Sequence, residues 1–133
     1  MNNYAQEYVC YVERQLENSF KRHQCGLYSY EEKFPELIKA KQYVYFLQAE
    51  NDGNVKVGTS LAPNQRCDDI QRMSPVTLKT LLVVPGSYYL ESKIHSVLNN
   101  YRLHGEWFYP HRRVFIVMRY LRKKYGDVQG EAR

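Results

Sequence analysis

Apolar residues first recur at helical spacing. Ala5, Tyr8, Val9, Val12, Leu16 and Phe20 follow one another at three- and four-residue steps, which predicts an amphipathic helix from about Asn3 to Arg22. Ser29-Tyr30-Glu31-Glu32 then has the Ser-x-x-Glu form of a capping box and predicts a short helix, restarted at Pro35, running to about Lys41. From Tyr43 the period becomes two. Tyr43 and Tyr45 alternate with Val44 and Phe46 as far as Gln48, and Val55-Lys56-Val57-Gly58 forms a second such run. Between them, Glu50-Asn51-Asp52-Gly53-Asn54 supplies the Asn and Gly that a tight turn needs, so the two runs predict an antiparallel hairpin. Tyr45 and Lys56 then sit on neighbouring strands. If the register sets them on one face, a phenol and an amine meet there, and a guanidinium on the next helix can close over the pair.

Pro63 opens that next helix, which carries Arg66 and Ile70 to about Met73 before Ser74-Pro75 stops it. Val76 to Val84 reads as a third strand, and its continuous apolar end implies cover by helices. Pro85-Gly86-Ser87 makes a turn and cap for a helix reaching about Tyr101, with Leu90, Ile94, Val97 and Leu98 as its core stripe. Glu91 and His95 lie one turn apart on a neighbouring face. After the short aromatic segment Gly105 to Tyr109, a last helix from about His111 to Lys124 is expected to turn Val114, Phe115, Val117, Met118 and Leu121 inward. The expected fold class is therefore α+β: a small three-stranded sheet of hairpin, helix and third strand, covered by helices. Residues 1–41 are expected as a helical extension that covers the core or contacts a second copy or a partner protein, 42–125 as the core, and 126–133 as a flexible tail.

Composition narrows the function classes. The chain has 133 residues, 44% of them hydrophobic and 25% charged, which suits one globular domain rather than a disordered segment. A net charge of +5 favours polyanionic partners, because Lys and Arg displace counterions from a phosphate backbone. Thirteen tyrosines suit half-buried packing and wet grooves. Cys10, Cys25 and Cys67 are an odd number without close spacing, which argues against a disulfide framework. The start of the chain lacks a leader pattern, and its apolar runs are too short to span a bilayer, so a cytoplasmic protein with no membrane partner is expected.

The pair Val44-Tyr45, the hairpin to Val57-Gly58, an Arg eight residues after that Gly and a downstream helical Glu together resemble the GIY-YIG nuclease superfamily. More narrowly, Lys56-Val57-Gly58-Thr59-Ser60, Pro63, Arg66, Glu91-x-x-Ile94-His95 and Gly105-Glu106-Trp107-Phe108 are similar to its compact phage-type branch, the T5orf172 or meiotically-up-regulated-113-like group. The resemblance covers about Gln42 to Phe108. It departs from the family pattern in three places: Tyr43 stands at the first Gly, Lys56 at the first Tyr of the second motif, and no counterpart of a late Asn falls near Leu103 to Glu106.

What the resemblance implies is a metal-dependent DNA endonuclease or nickase, with RNA left open as a substrate. Cutting a phosphodiester requires an activated water, stabilisation of charge on the nonbridging oxygens, and help for the departing oxygen. Tyr45 and Lys56 are the expected water-activating pair, Arg66 the phosphate-stabilising group, and Glu91 the ligand of one divalent metal. A single acidic ligand implies a hydrated hard ion, Mg²⁺ or Mn²⁺. His95 is expected either to touch the scissile phosphate or water, or to be a satisfied histidine beside the core. Lys21, Arg22, Arg112, Arg119, Arg122 and Lys123 are expected to contact nucleic-acid phosphates. Trp107 and Phe108 are weighed between core and base-stacking platform, and Glu106 between cap and cleft. The other class of reading is a nucleic-acid-binding module without turnover.

Overall fold

The structure, a computed structural model, describes residues 3–22 and 41–130, with side chains of the first segment given for residues 6–18. The short helix expected from Ser29 lies outside the described residues. Helix α1 (Asn3–Arg22) is followed by strands β1 (Tyr43–Ala49) and β2 (Val55–Ser60), helix α2 (Pro63–Met73), strand β3 (Leu78–Pro85) and helix α3 (Tyr88–Val97). A 3-10 turn (Asn99–Tyr101), two short strands β4 (Arg102–His104) and β5 (Trp107–Phe108), and helix α4 (Arg112–Tyr125) complete the order. The α+β class is as expected. The sheet is antiparallel in the order β3-β1-β2-β5-β4, so the aromatic segment adds a short β-ribbon to the three expected strands.

The local chemistry follows the sequence closely. Gly53 takes a φ of 79° in the hairpin turn, a conformation that Gly adopts without a Cβ penalty. Pro63 sits in the first turn of α2, and the Ser87 hydroxyl accepts a hydrogen bond from Tyr89 N at 3.2 Å as the cap of α3.

Period-two alternation divides the sheet between two apolar clusters. Val44, Phe46, Val55, Val57, Leu82 and Val84 face α3 and α4, and Val12 and Leu16 of α1 are buried in the same cluster. The opposite face turns Tyr45, Leu47 and Val83 toward Cys67 of α2. Val12 and Leu16 of the α1 stripe are thus used within the chain. On α4, Val114, Val117, Met118 and Leu121 are buried as expected, but Phe115 is 37% exposed while Ile116 and Tyr120 are buried. Each residue turns about 100° round a helix, so Ile116 and Tyr120 widen the stripe toward α1, and Phe115 falls on the far side of it.

Residues 127–129, part of the segment expected as a flexible tail, contact Val83 of β3 and Asn64 of α2, and residues 131–133 lie outside the described residues. Val128 N donates to Val83 O at 2.9 Å, Asp127 Oδ1 accepts from Val83 N at 3.3 Å, and Asn64 Nδ2 donates to Gln129 O at 3.2 Å. β3 ends the sheet, and these contacts satisfy backbone groups that an uncovered edge would leave open. Among the described residues no helix is long and apolar enough to cross a membrane.

Candidate active site around the edge of β2

The hairpin register pairs Tyr45 with Gly58 and Leu47 with Lys56. Tyr45 and Lys56 therefore lie diagonally on one sheet face, the arrangement the sequence left conditional on register. Gly58 is required there by space rather than by backbone angle: a Cβ at this position would overlap Tyr45 Oη and Cζ. The ring lies across the bare backbone of β2. Helix α2 covers this face through Cys67, and Arg66, one residue earlier, brings its guanidinium beside the Tyr45 hydroxyl. Tyr45 is 1% exposed. Burial pushes its phenol above the ordinary range, Arg66 opposes that shift, and the group is held neutral with its oxygen toward the guanidinium.

Lys56 extends the same face. Its Nζ is 2.9 Å from Glu106 Oε2 and 5.7 Å from the centre of the Trp107 ring, its cross-strand partner on β5. The side chains of Lys56 and Glu106 are 15% and 40% exposed, so the ion pair is partly shielded. β5 pairs with β2 only at Val55 and Lys56, while Val57 N donates to Glu106 O at 2.9 Å. Glu106 thus stands where the ribbon ends, at the edge of β2.

On the other side of that edge stands Glu91 of α3, 6% exposed. The Thr59 hydroxyl donates to Glu91 Oε2. Burial raises the Glu91 carboxyl above the usual carboxylate range, and Glu106 beside it raises it further, against the opposing effects of Thr59 and Lys56. His95, one turn on, places Nε2 2.9 Å from Val57 O and 3.6 Å from Glu91 Oε1. A carbonyl only accepts, so the ring proton is on Nε2. Burial lowers the His95 pKa and keeps the imidazole neutral, and its ring meets Phe108 edge-on at 5.2 Å. His95 ties α3 to β2 and so fixes the position of Glu91.

Tyr45, Lys56, Arg66, Glu91 and His95 therefore gather around one strand, with Glu106 joining the two faces by pairing with Lys56 and lying beside Glu91. Glu106, which the sequence leaves between cap and cleft, and Thr59, which it does not assign to the site, complete the group; the Gly105-Glu106-Trp107-Phe108 motif was the signal for the first. The basic residues expected to touch phosphate are elsewhere. Arg112 lies 4.3 Å over the Tyr8 ring, Lys123 is 3.7 Å from Glu13, and Arg122 donates to Leu81 O of β3, beyond β1 from the cluster. Arg119 is exposed on the same helix, and the side chains of Lys21 and Arg22 lie outside the described residues.

No group of three His, Cys, Asp or Glu side chains among the described residues is arranged to hold a metal ion. The donors that do converge, the carboxylates of Glu91 and Glu106 with the Thr59 hydroxyl, are all oxygen. Two adjacent carboxylates, one with its charged form disfavoured by burial, fit a hard cation that keeps most of its water. The family model of the T5orf172 domain matches residues 42–120, from the residue before β1 into α4. No curated protein and no solved structure matches the chain.

Proposed function

The chain belongs to the T5orf172 domain family, within the GIY-YIG-like nuclease superfamily, and on that premise we propose that it is a metal-dependent endonuclease or nickase acting on DNA. Lys56 in the second motif and the Gly-Glu-Trp-Phe run support a place near the meiotically-up-regulated-113-like members. The observation that carries the reading is the convergence of Arg66, Lys56 and Glu91 at one strand edge, because a guanidinium and an amine attract phosphate while a pure binder has no use for a carboxylate there.

In this reading the scissile phosphate rests against Arg66, whose planar donors match phosphoryl oxygens, and Tyr45 holds the guanidinium in place from beneath. Glu91, with Glu106 beside it, would hold Mg²⁺ or Mn²⁺, which supplies Lewis-acid stabilisation of the departing oxygen. Lys56 donates a hydrogen bond that orients the attacking water, and Glu106, the carboxylate it faces at 2.9 Å, takes the proton that the water releases. Tyr45 is buried and neutral, so its part is orientation rather than proton removal. The free thiols of Cys10 and Cys67 support a reducing, cytoplasmic setting.

Incubation of supercoiled plasmid with the protein and Mg²⁺ or Mn²⁺ tests the reading, with nicked or linear product expected. The second reading is a nucleic-acid-binding module that keeps the fold without turnover. Retardation of DNA without cleavage under any divalent ion would establish that alternative.

A further inference from the structure

At the turn end of the hairpin, on the face that carries Lys56, a pocket of about 290 Å³ is lined by Trp107, His104, Asn51, Asp52, Asn54 and Ser74 among others. Alternation along β5 sends Phe108, fully buried, into the main core and leaves Trp107 half-buried on the opposite face. Trp107 is the cross-strand partner of Lys56 and also a wall of the pocket. Asn54 lies two residues before Lys56, about 7 Å along the strand at ~3.3 Å per residue. That is within the reach of one nucleotide from a phosphate held at Lys56.

We propose that this pocket seats one unpaired nucleobase of the strand whose phosphate lies at Lys56 and Arg66. The aromatic wall offers a stacking surface that accepts any base, and the Asn and His side chains around it carry donors and acceptors for a base edge. Asp52 Oδ1 already accepts from Asn54 N at 3.0 Å, which fixes the rim of the pocket. A base inside a duplex is stacked on both sides and cannot enter, so the pocket selects single-stranded, frayed or extruded nucleotides. The inference deepens the nucleic-acid reading and rests on it: it names the substrate as DNA with at least one unpaired base beside the scissile phosphate.

Trp107 is the only tryptophan, so its emission reports directly on the pocket. The full chain, held in EDTA to prevent cutting, is titrated with a short thymidylate strand, with an abasic strand of equal length and phosphate count, and with a paired duplex. Affinity is read separately by anisotropy of a dye on the strand. The thymidylate strand should quench Trp107 and bind roughly tenfold or more tightly than the abasic strand, as expected for one base stacked on an aromatic ring. Trp107→Phe should preserve that preference and Trp107→Ala abolish it. Equal affinity of the wild-type protein for thymidylate and abasic strands, with no change in Trp107 emission, would overturn the pocket while leaving DNA binding intact. Failure of every strand to bind would overturn the pocket together with its premise.

Discussion

Gly58 and Tyr45 face each other across the β1–β2 pair, and the tyrosine ring fills the space that a side chain at position 58 would need. The glycine is thereby tied to the site, because the ring it admits is the one whose hydroxyl lies beside the Arg66 guanidinium. Gly58→Ala should destabilise the protein by about 1–3 kcal/mol through overpacking and should lower any cleavage by displacing Arg66. The overlap involves the hydroxyl end of the ring, so adding Tyr45→Phe should recover part of the lost stability. Urea unfolding of the two single variants and the double variant checks this, and strictly additive losses would refute the contact.

Arg66→Ala and Glu91→Ala should each reduce cleavage about a hundredfold or more, the scale of losing one preorganised electrostatic partner. Arg66→Lys should not restore the rate, since a point charge lacks the planar pair of donors. Wild-type protein should melt at a higher temperature with Mg²⁺ or Mn²⁺ present, by the mass action of a ligand that binds only the folded chain. Glu91→Ala should lose that rise while remaining folded. A folded Glu91→Ala protein with full activity would remove Glu91 from any metal role.

Much of this arrangement was legible in the sequence. The hairpin was readable because Gly53 marks its turn and the flanking runs alternate, and α2 because Pro63 and Ser74-Pro75 bracket it. What periodicity could not supply was register. A slip of one residue would have sent Lys56 to the face opposite Tyr45, and only the pairing of Tyr45 with Gly58 decides it. Glu106 was undecided because it follows a turn glycine in a segment too short to show a period, and its partners Lys56 and Glu91 come from distant parts of the chain. The contacts of residues 127–129 were not legible for a related reason: their polar composition resembles a tail, and the edge they meet belongs to β3.

Two buried groups should give stability opposite dependences on pH. His95 has a lowered pKa in the folded chain, so its contribution is intact above the ordinary imidazole value of about 6.5 and is lost as pH falls below it, where only the unfolded chain gains a proton. Glu91 has a raised pKa, so it costs no stability below the ordinary carboxylate range and destabilises as pH rises through its folded value. His95→Gln should flatten the acidic decline. Glu91→Gln should raise the melting temperature near neutral pH in EDTA more than it does near pH 4. Melting curves across pH in the three proteins measure both effects, and a Glu91→Gln difference that grows toward acid would contradict the burial argument.

The last expectation separates the two members of the ion pair. Glu106 lowers the positive charge that a polyanion meets at Lys56, and it lies beside a second carboxylate whose ionisation it opposes. Glu106→Gln should therefore tighten binding of a short DNA strand in EDTA by roughly threefold to tenfold, about 1 kcal/mol of relieved repulsion between partly screened charges. Its rate of cleavage at saturating DNA should nonetheless fall, because the water-derived proton loses its carboxylate acceptor. Lys56→Met removes the other half. It should weaken binding and also lower the single-turnover rate, whereas Glu106→Gln should lower the rate while binding tightens. Single-turnover rates, paired with affinities measured without metal, distinguish the variants. If Glu106→Gln cuts faster than the wild type at saturation, Glu106 acts as a restraint on Lys56 and not as the acceptor of the water-derived proton.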